Sequence, residues 1–175
     1  MSRLGRRLPP TPVLVVLTPL LAVLLALGLL AGCGGSEPFE VSGSSVQIDS
    51  TQVGEPLIEG NTVTVTGVDH SQLSGDLEGT NESNSTLVID TTTGAFTLTY
   101  DLTFTGAMGD KEGTLTAHGE GTGQMLSADS SVWTVSETIT GGTGDFEGLT
   151  GTNEVEGKGD AEGSSASFTG TWQFN

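Results

Sequence analysis

Apolar and polar residues alternate along most of the chain after residue 38, which is the pattern of β-strands with one face towards a core. In residues 96–104 every even position is apolar or aromatic and every odd position is Thr or Asp. Residues 165–174 repeat this pattern, and no helical repeat follows the first 33 residues. Shorter strands are predicted at 61–68, 87–89, 113–119 and 132–139.

Short glycine-containing segments between these stretches predict hairpins. Thr93-Gly94 and the glycine-rich residues 157–163 have the composition of turns. Eight or nine short strands in succession favour an all-β antiparallel barrel of about eight strands over a sandwich, because closure removes exposed edges. The residues expected in its core are Phe96, Leu98, Leu102, Phe104, Trp133, Val135, Phe168 and Trp172.

The first 33 residues have a different pattern. Three arginines precede a run, residues 13–30, that is apolar except for Thr18, Pro19 and Gly28. The run ends in Leu30-Ala31-Gly32-Cys33, which resembles the lipobox of bacterial lipoproteins and contains the single cysteine of the chain. The alternative is an uncleaved transmembrane anchor, against which stand Pro19 and the lack of a following basic cluster.

This resemblance predicts the domain organisation and the location. Residues 1–32 are a lipoprotein signal peptide, 33–38 a flexible tether and 39–175 the β-barrel domain. The resemblance implies a lipid on Cys33 that holds the protein at the cell membrane, facing outside the cytoplasm. The membrane is therefore the first expected partner.

The charge of the mature chain excludes one class of partner. Residues 33–175 contain two lysines and 22 acidic residues, a formal net charge of −20. Such a surface repels nucleic acid. The carboxylates either bind cations or form a solvated surface, and the second reading is favoured. With Cys33 lipidated, no disulfide is available, so the domain depends on its core and on sheet closure.

One pentapeptide, Gly-Asp-x-Glu-Gly, recurs at 75–79, 109–113, 144–148 and 159–163. With Leu77 or Phe146 in the middle it is interpreted as the start of a strand whose acids face water. With Lys or Ala in the middle it is interpreted as a turn. Calcium is an alternative because carboxylates and carbonyls are its ligands, but no EF-hand spacing is present, and residues 141–146 have Phe146 where the calcium-binding β-roll repeat needs an acid. No metal site and no cofactor are predicted.

Two motifs carry a further resemblance. Residues 142–151, Gly-Thr-Gly-Asp-Phe-Glu-Gly-Leu-Thr-Gly, resemble a signature shared by dirigent proteins, allene oxide cyclases and bacterial proteins of the DUF3224 family. Residues 74–79 and Phe39-Glu40-Val41 are similar to the same bacterial family. The resemblance implies an eight-stranded antiparallel barrel of the allene-oxide-cyclase kind with a central cavity. It implies no activity, because the plant enzymes' catalytic residues have no match here.

Four side chains are candidates for chemistry. Glu137 falls on the apolar, inward face of its strand but near the strand end, just before Gly141-Gly142, where its carboxylate can reach water. Tyr100 lies on the apolar face of the best strand. His70 is expected in a turn and His118 on an outward face, and for both a surface role is favoured over a site.

Two functions remain open. The favoured one is a binding or structural surface protein that holds a small apolar ligand in the barrel. The alternative is a cofactor-free isomerase or cyclase using Glu137 or Tyr100 inside the barrel.

Overall fold

A computed structural model of the chain describes residues 36–175, which form nine β-strands and no helix. The predicted signal peptide 1–32 and the lipidation site Cys33 lie outside the described residues. The strands are β1 Phe39–Gln52, β2 Leu57–Glu59, β3 Thr62–Gly75, β4 Glu78–Asp90, β5 Ala95–Met108, β6 Lys111–Ser127, β7 Ser130–Gly144, β8 Leu149–Asp160 and β9 Gly163–Phe174.

Eight of these strands close into a ring. Consecutive strands from β3 to β9 pair antiparallel, and β1 pairs with β9 on one side and with β3 on the other. The short strand β2 pairs only with the first residues of β3. The predicted antiparallel barrel of about eight strands is therefore confirmed.

The two ends of the barrel differ. At one end the chain enters at Ser36, which hydrogen-bonds to Phe174 at the end of β9, and here lie the turns β3–β4, β5–β6 and β7–β8. We call this the closed end, because apolar side chains fill it. The other end, with the turns β4–β5, β6–β7 and β8–β9, is the open end.

The core lies in the closed half. Its most buried large side chains are Phe104, Leu149 and Trp172, each 1% exposed, and Phe146, which is fully buried. Of the predicted core residues, Phe96, Phe104, Val135, Phe168 and Trp172 are buried. Leu98 and Trp133 are half-buried and lie outside the core, so the prediction was wrong for these two, whereas Leu102 is half-buried but packs against the core. These three face a space that the side chains do not fill.

Two copies of the pentapeptide help to close that end. Residues 75–79 and 144–148 lie at turns rather than at outward-facing strand starts, which corrects the interpretation of these two copies. Their middle residues, Leu77 and Phe146, turn into the core. The acid after the first glycine ties each turn to a neighbouring strand: Asp76 accepts a hydrogen bond from the Ser42 amide at 2.7 Å, and Asp145 one from the Glu112 amide at 3.0 Å.

Three turn assignments also need correction. His70 lies inside β3 rather than in a turn. Gly141-Gly142 lies inside β7, where a register shift against β6 marks a bulge, so the strand continues to Gly144. Gly157 and Gly159 belong to β8, and only residues 161–162 separate β8 from β9. In both glycine-rich segments, glycines that lie inside a strand were interpreted as part of a turn.

Candidate functional site

A cavity of about 450 Å³ lies mainly in the open half of the barrel and reaches core residues such as Phe104 and Trp172. Its walls divide by strand. The side formed by β5 to β8 is largely apolar and includes Phe96, Leu98, Trp133 and Val155. The side formed by β9, β1, β3 and β4 is lined mainly by hydroxyl and amide side chains and by Asp69. The lumen therefore presents one apolar face and one polar face to an occupant.

The polar wall is organised around Asp69 on β3. Its carboxylate accepts hydrogen bonds from Gln47 Nε2 at 2.9 Å, Ser50 Oγ at 2.7 Å and Ser85 Oγ at 2.8 Å. Gln47 and Ser50 could not both face inwards on a regular strand, because side chains alternate. A register shift between Gln47 and Asp49 skips Ile48, which is 62% exposed, and so turns both side chains to the lumen.

A single row of residues crosses the cavity wall and reaches its floor at Glu137 and Asn153, the lining residues nearest the closed end on β7 and β8. Tyr100 on β5, Gly119 on β6, Glu137 on β7 and Asn153 on β8 are consecutive partners in the sheet register. Gly119 carries no side chain, and a Cβ there would overlap the Tyr100 ring. The ring therefore lies across Gly119 and carries its hydroxyl two strands away to Glu137.

The row forms a chain of hydrogen bonds that ends on one carboxylate. Trp172 Nε1 donates to Asn153 Oδ1 at 2.7 Å, and Asn153 Nδ2 donates to Glu137 Oε1 at 2.6 Å. Tyr100 Oη donates to Glu137 Oε2 at 2.9 Å. Indole N–H can only donate, so it fixes the Asn153 amide with its oxygen towards Trp172 and its nitrogen towards Glu137. Each oxygen of Glu137 thus receives one donor.

Burial dominates the protonation chemistry of this pair. Glu137 is 7% exposed, and its burial raises the pKa of the carboxyl group, while the hydrogen bonds from Asn153 and Tyr100 oppose that rise. Burial also raises the pKa of the Tyr100 hydroxyl, and the neighbouring Glu137 charge raises it further. Tyr100 is therefore neutral, and its hydroxyl donates a hydrogen bond to Glu137.

The location of Glu137 differs in part from the expectation. It faces inwards, as its place in the alternation predicted, but it lies in the middle of β7 and not beside a turn that gives it access to bulk water. Asn153, Asp69 and Gln47 were missed as site residues. Each occupies an inward position of its strand, so polar residues at inward positions were the signal that could have identified them.

The histidines do not join this site. His118 faces outwards on β6, where Nδ1 lies 2.7 Å from Asp101 and Nε2 lies 3.4 Å from Glu120. The hydrogen bond with Asp101, followed by that with Glu120, raises the pKa of its imidazole. His70, on β3, has Nδ1 3.9 Å from Glu82, and its side chain is 40% exposed. The structure brings Tyr100 and Glu137 together and leaves both histidines outside the lumen.

Two features are absent from residues 36–175. This part of the chain has no group of three or more His, Cys, Asp or Glu residues arranged to hold a metal ion. It also contains no helix that is long and apolar enough to cross a membrane.

Known proteins resemble the chain in sequence and in fold. The family model described as a protein of unknown function, DUF3224, matches residues 30–169. The chain belongs to the DUF3224 family. A crystal structure of a DUF3224 protein of unknown function from Shewanella oneidensis MR-1 has a TM-score of 0.62 at 14% identity. That match covers 79% of this chain and 99% of the other, and it supports the fold of this DUF3224 domain. None of the curated proteins compared with the sequence matches it.

Proposed function

We propose that this DUF3224 protein is an exported, lipid-anchored binding protein that holds a small ligand in the open half of its barrel. The observation that carries the binding role is the cavity of about 450 Å³, a volume typical of small-molecule sites. Its apolar wall suits the apolar ligand expected from the sequence. Its polar wall adds a requirement, because the ligand must also present hydrogen-bonding groups on one side.

The packing supports binding over a purely structural role. The large apolar side chains needed for stability fill the closed half, whereas Leu98 and Trp133 stay half-buried around the cavity. A barrel that served only as a scaffold would gain stability by filling this space. The polar wall is also held in place by the hydrogen bonds to Asp69, so the cavity does not have to form when the ligand arrives.

The point of chain entry favours a cavity that opens away from the membrane. Cys33 lies three residues before Ser36, and three residues span at most about 10 Å. Ser36 is hydrogen-bonded to Phe174 at the closed end. A lipid on Cys33 would therefore hold the closed end near the membrane and leave the open end accessible to ligands from outside.

The anchor is tested by Cys33→Ser in the full chain. We expect the wild-type protein in the membrane fraction, with an N-terminal mass that includes acyl chains, since two or more chains give stable attachment. The variant should lose the lipid mass and the cleavage after Gly32. A wild-type protein without lipid mass would contradict the proposed anchor but would leave the binding role untouched.

Ligand binding is tested with residues 36–175, which contain the complete barrel and its core and lie within one compact unit. The probe is Nile red, a neutral apolar dye of suitable size. We expect saturable binding with a blue-shifted emission, and a loss of at least tenfold in affinity in Ala166→Phe, which fills the lumen. The matched control is Ser167→Phe on the exposed outer face of the same strand. Equal binding by both variants would refute binding in the lumen.

The second candidate function is a cofactor-free isomerase or cyclase, favoured by one observation. Glu137 is a buried carboxylate with a raised pKa on the floor of the cavity, as a general base requires. The hydrogen bonds from Tyr100 and Asn153 weaken this reading, because they stabilise the anion and so lower its basicity. Turnover of a bound compound that disappears in Glu137→Gln would favour the enzyme.

A further inference from the structure

We infer that the ligand of this cavity is an organic cation, namely an amine attached to an apolar body, whose charged group pairs with Glu137. This inference rests on the proposed binding function and specifies the chemical class of the ligand. It follows from the charge inside the lumen, the arrangement around Glu137 and the distribution of the remaining hydrogen-bonding groups.

The charge inside the lumen has one sign. Among the described residues that line the cavity, two are acidic, Asp69 and Glu137, and none is Lys, Arg or His. Both lysines of residues 36–175 are elsewhere: Lys111 Nζ lies 5.1 Å from the ring centre of Phe174 at the closed end, and Lys158 is exposed. An anionic ligand such as a fatty acid would meet two carboxylates and no compensating cation.

Glu137 is arranged as a charged acceptor that lacks a counter-ion. Its neighbours in the row are a neutral hydroxyl and a neutral amide, and each donates to one of its oxygens. Carboxylate oxygens have about four acceptor sites in total, so further donors can bind. A buried carboxylate is costly without a partner of opposite charge. A ligand ammonium group at the cavity floor would supply that charge.

The two carboxylates have different roles. Asp69 already accepts three hydrogen bonds from its own wall. It also lies on β3, four strands from β7 in a ring of eight, and thus on the opposite side of the lumen from Glu137. We therefore assign Asp69 to holding Gln47, Ser50 and Ser85 in place and Glu137 to the cation.

A further acceptor in the polar wall is without a partner. Asn81 Oδ1 is buried and has no hydrogen bond within residues 36–175. Asn81 lines the cavity on β4, so a second N–H or O–H group of the ligand could satisfy it. In the apolar wall, Phe96, Leu98 and Trp133 provide the surface for the apolar body of the ligand, and the aromatic faces also attract cations. The lumen thus offers acceptors and apolar contacts to a donor-rich ligand.

The test compares three probes of equal chain length, decylamine, decanol and decanoate, by displacement of Nile red from residues 36–175. At pH 7 and moderate salt we expect decylamine to bind at least tenfold more tightly than decanol, because a charge-assisted hydrogen bond exceeds a neutral one by about that factor. Decanoate should bind more weakly than decanol.

Two variants distinguish binding of the amine in the lumen from binding to the acidic outer surface. Glu137→Gln should remove the preference for decylamine over decanol while retaining decanol binding, because Gln keeps the shape of the side chain. Glu154→Gln, which makes the same charge change on the exposed face of β8, should retain the preference. Equal affinities for all three probes in the wild type, or loss of the preference in both variants, would overturn the cation assignment and leave the binding function standing. Failure of every probe, with no effect of Ala166→Phe on Nile red, would refute the binding function itself.

Discussion

The closed and open halves of the barrel are made by the same strands but have different inner faces. In the closed half the inward residues are large and apolar, and Phe104, Phe146 and Trp172 are at most 1% exposed. In the open half, β1, β3 and β4 turn Ser, Gln and Asp residues inwards around a cavity. A strand can therefore belong to the core at one end and to a binding site at the other. Stability and binding are separated along the barrel axis.

The row from Tyr100 to Asn153 marks the boundary between these halves. On the side of the row towards the closed end, Ile139 belongs to the apolar core, and Leu102 packs against that core while it also lines the cavity. On β7 and β8 the cavity lies on the other side of the row. The boundary is tied to the core by Trp172, whose ring is 1% exposed and whose Nε1 fixes the Asn153 amide. The packing of the closed half thereby determines the orientation of the polar groups that face the open half.

The largest expected effect compares the two tryptophans of the chain. Trp172→Ala should cost about 3–5 kcal/mol, because it leaves a cavity in the packed half and frees the Asn153 amide. Trp133→Ala should cost less, below about 2 kcal/mol, because this side chain is half-buried beside an existing space and its loss creates little new cavity. Urea unfolding of residues 36–175 measures both. Similar losses from the two substitutions would show that the open half contributes to stability as much as the closed half.

The same contrast explains which parts of the fold the sequence revealed. Alternation identified β5 and β9, because their inward residues include large apolar side chains throughout much of their length. It predicted only residues 87–89 of β4 and no strand at β1, because Asn81, Ser83 and Gln47 face inwards there. A strand whose inward residues are polar shows no alternation of apolar and polar residues in its sequence. The residues that form the polar wall are therefore the ones that kept β1 and most of β4 from being predicted.

The candidate site was predicted in part for a related reason. Tyr100 and Glu137 were found because each interrupts an apolar inward face. Their contact was not predictable from sequence, because it depends on Gly119 occupying the register position between them. Asn153 was missed because its strand, rich in Gly and Glu, shows little apolar alternation. Register across three strands is a property of the closed sheet and not of any local pattern.

A smaller effect is expected from Gly119→Ala, which tests the crossing of Tyr100. The new Cβ would overlap the ring, so the hydroxyl should leave Glu137 and the domain should lose about 1–3 kcal/mol. Tyr100 is the only tyrosine, so its ultraviolet absorbance during alkaline titration reports its pKa directly. That pKa should fall towards the ordinary value in the variant.

Gly67→Ala is the control, because its new Cβ fits without overlap, 3.4 Å from Thr51 O and 3.6 Å from Ser85 Oγ. An unchanged tyrosine titration in Gly119→Ala would contradict the proposed role of this glycine.

The smallest expected effect concerns the pH dependence of stability at the boundary. Burial raises the pKa of Glu137 above its ordinary value of 4.5, so the folded domain holds this proton more tightly than the unfolded chain does. The resulting stabilisation is complete below pH 4.5 and is lost as the pH rises through the folded-state pKa.

Glu137→Gln removes the titration but keeps both hydrogen bonds, since its amide can accept from Asn153 and donate to Tyr100. Without ligand, the variant should therefore become more stable relative to the wild type as the pH rises above 4.5, which the difference between their Tm values measures. Glu154→Gln on the outer face should show no such trend. A difference between wild type and Glu137→Gln that stays constant with pH would mean that Glu137 titrates in the folded barrel as it does in the unfolded chain.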